Sequence, residues 1–97
     1  MAQILRNGDA RLALEGALKF ANIVPLQKET AQLLAESAGP VVFDFSGVTA
    51  VDSSALSFWL CCQRKGRELG IEISAESVPE ELVSIARLVG LEQALVR

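Results

Sequence analysis

VVFDFSGVTAVDSSALSFWLCCQRKGRE, residues 41–68, is the stretch that decides the fold of this 97-residue chain. Its opening, Val41-Val42-Phe43 followed by Asp44-Phe45, is β-branched and aromatic with no alternation left for a wet side, which predicts a strand buried on both faces. Ser46-Gly47-Val48-Thr49-Ala50 then reads as a short polar loop. Asp52 and Ser53 precede an apolar-periodic run, and a short oxygen-bearing side chain in that place accepts a bond from a first-turn N–H and starts a helix. On spacing alone Asp52 and Ser53 are helix caps, with presentation of a polar group at the strand-to-helix junction as the functional alternative.

Placed at 100° per residue, Ser53 to Leu69 puts Ala55, Leu56, Trp59, Cys62, Gly66 and Leu69 on one side, with Phe58 and Leu60 at its edges. That side is expected to face the sheet, and Gly66 to let the helix lie close to the strands. Ser54, Ser57, Cys61, Arg64, Lys65 and Glu68 fall opposite. The first half of this outer face is small where a solvated helix ordinarily carries Glu, Lys or Gln, so it forms a flat strip that another protein can cover.

Outward from the centre, Gln3 to Arg6 and Ala10 to Glu15 flank Asn7-Gly8-Asp9, a hairpin signal closed by Gly16. Asn22 is the expected cap of a helix with Pro25 in its first turn, Leu26, Leu33 and Leu34 inside it and Gly39-Pro40 after it. Beyond Gly70, Ile71 to Ala75 alternates like a half-buried strand. Ser77-Val78-Pro79-Glu80 has capping-box spacing, and Leu82, Ile85, Ala86 and Val89 form the stripe of a third helix that ends at Gly90. The tail from Leu91 to Arg97 is too brief to assign. The order ββαβαβα favours an α/β fold, a mixed sheet with helices on it, in one domain spanning residues 1–97.

Composition narrows the function. Half the chain is apolar (51%) and 22% is charged, which suits a packed domain, and the formal charge of -3 argues against a nucleic-acid partner. The apolar runs are far too short to span a bilayer, and the first nine residues lack the pattern of a signal peptide, so a cytoplasmic protein without direct membrane insertion is expected. The chain has no histidine, and adjacent Cys61-Cys62 lacks zinc or redox spacing, so no metal and no cofactor are assigned. Serine catalysis fails for want of a base and of an oxyanion motif, which makes the chain non-catalytic.

The run VVFDFSGVTAVDSSAL, supported by Gly16, Gly70 and SVPEELVSIARLVGL, resembles the STAS domain, the family of sulfate-transporter and anti-sigma-factor-antagonist domains. The resemblance covers nearly the whole chain and implies a mixed sheet of four or five strands covered by helices on one face. The brevity, the start ILRNGDARLALEGAL and Val24-Pro25-Leu26 are similar to the small stand-alone STAS subunits of bacterial lipid-asymmetry (Mla) ABC transporters. That implies a partner, the cytoplasmic ATPase of a phospholipid-transporting permease complex, and a place beside the inner membrane through that partner.

By the same resemblance, Ser53 occupies the position of the phosphorylated serine in anti-sigma antagonists and of a partner-contacting threonine in the transporter subunits, with Asp52 before it. Ala55 stands where the antagonists usually carry glycine, and its methyl hinders close approach of a kinase. The expected partner surface is Asp52, Ser53, Ser54, Ser57 and Cys61, together with Ser46 and Gly47 of the nearby loop. Two mechanisms follow: a regulatory subunit docked on the ATPase, or an anti-sigma antagonist switched by phosphate on Ser53. A nucleotide-binding module ranks last, because the chain has no Gly-rich phosphate loop.

Overall fold

In chain order the elements are β1 (Ala2–Arg6), β2 (Arg11–Leu18), α1 (Phe20–Ala35), β3 (Val41–Val51), α2 (Ser53–Leu69), β4 (Ile73–Glu76) and α3 (Glu80–Leu88), with a closing 3-10 turn at Glu92–Leu95. The structure, a computed structural model, describes residues 2–8 and 10–95. Met1, Asp9 of the first turn, and Val96 and Arg97 of the tail, all used in the sequence reading, lie outside the described residues.

The sheet order is β1-β2-β3-β4, antiparallel between β1 and β2 and parallel thereafter. A parallel connection has to cross back over the sheet, and the right-handed crossover carries α1 and α2 onto the same face, where they pack side by side. The architecture is the expected mixed sheet, four-stranded, with its helices on one face. Ile4, Leu12, Leu14, Val41, Phe43 and Phe45 fill the covered side of the strands.

Trp59 of α2 lies edge-on to both Phe43 and Phe45, with centroids 5.3 and 5.8 Å away, and is only 1% exposed. Truncating a buried aromatic of this size costs about 3–5 kcal/mol. The indole N–H donates to the Ala94 carbonyl at 2.7 Å, joined there by the Gln63 amide at 3.0 Å, so α2 also anchors the last described turn.

β3 corrects the sequence reading twice. It is not buried on both faces: Val41, Phe43 and Phe45 are buried, but Val42 and Asp44 are half-buried on the side without helices. On that side Arg11 of β2 meets Glu76 of β4 at 2.6 Å and Asp44 at 3.7 Å. Val42 hides the alternation simply by being apolar on the outer side. Nor is Ser46 to Ala50 a loop, because β3 continues through it and pairs Gly47 with Glu15, Val48 with Gly16 and Ala50 with Ala17. Register shifts at Ala13/Glu15 and Gly16/Ala17 break the two-residue period that marks a strand in sequence. Gly47 is required there, since a Cβ would sit 2.9 Å from the Leu14 carbonyl oxygen.

Two helix starts also differ from expectation. α1 begins at Phe20 and not beyond Asn22, whose side chain instead donates to the Ala17 carbonyl; Pro25 therefore lies inside the helix. The capping box of α3 does not form: Ser77 adopts a left-handed φ of 56°, Pro79 is the N-cap, and no side chain caps the helix. β4 starts at Ile73 and not at Ile71. Leu69 (39% exposed) and Val89 (60%) leave their predicted stripes because each lies at a helix end, where the axis has carried it past the core.

α2 keeps its predicted limits. Gly70, at φ 71°, ends it in the left-handed conformation, and the Ile71 N–H returns to the Gly66 carbonyl at 2.9 Å. A Cβ on Gly66 would lie 3.1 Å from the Ile71 oxygen and 3.4 Å from the Ile73 side chain, so the small residue does let helix and strand close up.

Candidate functional site

The parallel strands β2 and β3 deliver the starts of α1 and α2 to the same end of the sheet. Asp52 sits between them with an extended backbone. One carboxylate oxygen accepts the Ser54 N–H at 2.8 Å, which is the local N-cap of α2. The other accepts the Phe20 N–H at 3.1 Å, the first residue of α1. Lys19, the N-cap residue of α1, offers no side-chain bond of its own. One carboxylate therefore satisfies orphan donors of two helices and faces the positive end of both dipoles.

The charge on Asp52 is correspondingly favoured. The Phe20 N–H is the largest cause holding its carboxyl below the ordinary aspartate value; the Ser54 N–H and hydroxyl and the Lys19 charge add to it, against partial burial.

Ser53 is the first residue of α2, exposed, and among the described residues nothing hydrogen-bonds its hydroxyl. Ser57 and Cys61 follow at four-residue intervals, both exposed, while Ser54 is half-buried beside Asp52. The strip of Ser53, Ser57 and Cys61 thus runs down one side of α2 from a tip fixed by Asp52.

Ser46 and Gly47 are not brought to this tip. Both are exposed on β3, but Gly47 lies five residues before Asp52, roughly 16 Å along a strand. The Ser46 N–H is committed to the Asp44 carboxylate at 2.9 Å, the chief cause holding Asp44 below its usual value.

Phe20 is the feature that the sequence reading missed. It is 80% exposed, and Val24, one turn on, is 57% exposed, which leaves an apolar pair on α1 leading away from the Asp52 bond. The one available signal was that Phe20 and Val24 fall off the Leu26 and Leu34 stripe once the helix is started early enough. No group of three or more His, Cys, Asp or Glu side chains among the described residues is placed to hold a metal, and no helix there is long and apolar enough to cross a membrane.

Over residues 2–97 the chain matches the sequence pattern of a family described as Mlab, STAS domain. No curated protein matches. Among solved structures, the anti-sigma factor antagonist SpoIIAA in its unphosphorylated form is similar with a TM-score of 0.68 at 10% identity, covering 91% of this chain and 83% of that one. A crystal structure of Mglu is similar with a TM-score of 0.59 at 20% identity; it covers 79% of this chain, which spans only 19% of that longer protein. Identities this low speak for the shared fold alone.

Proposed function

The chain belongs to the STAS domain family, and from that premise we propose that residues 1–97 act as one domain that docks on a protein partner through the start of α2. STAS domains are non-catalytic regulatory modules, so what this chain contributes is a surface. The observation that carries the reading is Ser53, an exposed hydroxyl that caps nothing on a turn held by two charge-assisted bonds to Asp52. Such a turn is rigid before binding, and little ordering entropy is lost when a partner covers it. Ser54, Ser57 and Cys61 extend the contact; Ser46 and Gly47 belong to it only if the partner also reaches along β3.

Two partner classes fit. The first is the cytoplasmic ATPase of a phospholipid-transporting ABC permease complex, which would hold the domain beside the inner membrane; the match to the Mlab STAS family supports it. The second is an anti-sigma kinase, with the chain as an antagonist switched at Ser53. This second reading has the broader structural support, since SpoIIAA matches over most of both chains. A phosphate on Ser53 adds roughly -1.5 to -2 charge at the favoured end of the helix dipole, so the fold tolerates it, while a partner surface fitted to a neutral hydroxyl does not.

Co-purification with each candidate partner tests the proposal. Ser53→Glu and Ser53→Arg are expected to lose binding with an unchanged unfolding midpoint, and recovery at wild-type yield defeats the docking reading. Incubation with a cognate anti-sigma kinase and ATP separates the classes: phosphate on Ser53 with release from the kinase selects the antagonist, whereas binding to the ATPase alone selects the transporter subunit.

A further inference from the structure

Away from the docking tip, the C-terminal half of α1 and the body of α2 leave a groove between them with a volume of about 340 Å³. That is within the size of small-molecule sites, about 300–1,000 Å³. Its floor is apolar: Ala31 and Leu34 come from α1, Cys61 and Cys62 from α2, and the Thr30 hydroxyl beside them is already committed to the Leu26 carbonyl at 2.7 Å.

The rim has the opposite character. Lys28, Arg64 and Lys65 stand on it against one carboxylate, Glu68, in a chain whose formal net charge is -3. Glu68 approaches Lys65 at 3.9 Å, and among the described residues Lys28 and Arg64 have no ionic partner. A neutral apolar guest would make no use of these exposed, hydrated cations, and an inorganic anion would leave the apolar floor wet. A molecule with both an apolar tail and an anionic head matches the two surfaces together.

We propose that the groove between α1 and α2 binds a single-chain anionic amphiphile, a fatty carboxylate, with its head at the rim of Lys28 and Arg64 and its tail along Ala31, Leu34 and Cys61. The lining runs from Gln27 to Leu34 on α1 and from Cys61 to Glu68 on α2, roughly 10 Å at helical rise, which suits a tail of medium length. The site lies lower on the helices than Ser53 and shares only Cys61 with the proposed contact strip, so it is tested on the free chain.

Cys61 provides the readout. It is exposed, whereas Cys62 is buried and its burial pushes the thiol far above its ordinary pKa, so alkylation of the native protein reports on Cys61. Decanoate, below its micellar concentration, is expected to cause a saturable loss of Cys61 alkylation, with decanol and decyltrimethylammonium far less effective. Lys28→Gln and Arg64→Gln are each expected to raise the half-protecting decanoate concentration about tenfold, the loss of one charge-assisted hydrogen bond, with the unfolding midpoint unchanged. Absence of protection by decanoate, equal protection by all three amphiphiles, or protection unmoved by both substitutions overturns the proposal.

Discussion

α1 and α2 begin at the same end of the sheet, on the same carboxylate, by different means. α2 has its cap in the preceding residue: Asp52 takes the Ser54 N–H two positions on. α1 has no local cap, and its first N–H reaches Asp52, 32 residues ahead in the chain. A helix start can therefore be fixed by tertiary structure with no trace in its own flanking sequence. It also follows that the two starts are energetically joined, because one side chain serves both.

Removing the shared group should have the largest effect. Asp52→Ala strips both starts, and with ~1 kcal/mol for each lost cap interaction it is expected to cost about 2 kcal/mol in urea unfolding. Asp52→Asn keeps one acceptor oxygen but turns an amide donor toward the other N–H, and should cost about half as much. A cost below ~1 kcal/mol for the alanine variant would mean that the two starts do not share a cap in solution.

Acid should erase the same contribution. The carboxyl of Asp52 is held below its ordinary value in the fold, so near pH 4 and below the unfolded chain binds the proton first. The stabilising effect is fully present above about pH 4, where an unperturbed aspartate is ionised, and is lost as pH falls through the lower folded value. The stability difference between wild type and Asp52→Asn should be constant near neutrality and shrink below about pH 4; a difference that grows on acidification contradicts the assignment.

Phe20→Pro isolates the α1 half of the bond. Proline at the first helical position removes the donor, the lost ring is 80% exposed, and Lys19 before it is already extended, at φ -129° and ψ 165°, as a residue preceding proline must be. A loss of no more than about 1 kcal/mol is expected, together with a rise of the Asp52 pKa toward its ordinary value by NMR titration. An unmoved Asp52 would show that Phe20 is not its principal partner. The smallest effect belongs to α3, which has neither a local side-chain cap nor a borrowed one. Ser77→Ala should be nearly neutral, and Ser77→Gly should stabilise by up to about 1 kcal/mol by relieving the left-handed φ. A destabilisation of ~1 kcal/mol in the alanine variant would restore the capping box.

This division also separates what was legible in the sequence from what was not. The limits of α2, its buried side from Ala55 to Gly66 and the exposure of Ser57 and Cys61 rest on local signals: a cap, a glycine stop and a 3.6-residue period; Ser54, which the same period places on the outer face, is instead half-buried where its N–H meets Asp52. The second half of β3 was hidden because two register shifts disturb its period and its small residues imitate a loop. For the same reason the sequence suggests a loop that brings Ser46 and Gly47 near the tip, whereas the strand holds them away from it. The exposure of Phe20 was illegible, since it depends on where α1 starts, and that start is set from the far side of β3.

The bond from the Trp59 indole to Ala94 makes the chain's single tryptophan an optical gauge of its last turn. With Glu92–Leu95 in place the ring is enclosed and its N–H answered by one carbonyl; when that turn lifts, the same N–H meets water and the emission moves to the red. Because the ring also rests on Phe43 and Phe45, undocking of that turn is registered at the centre of the sheet. Release of the Glu92–Leu95 turn can thus be followed by fluorescence without introducing a label.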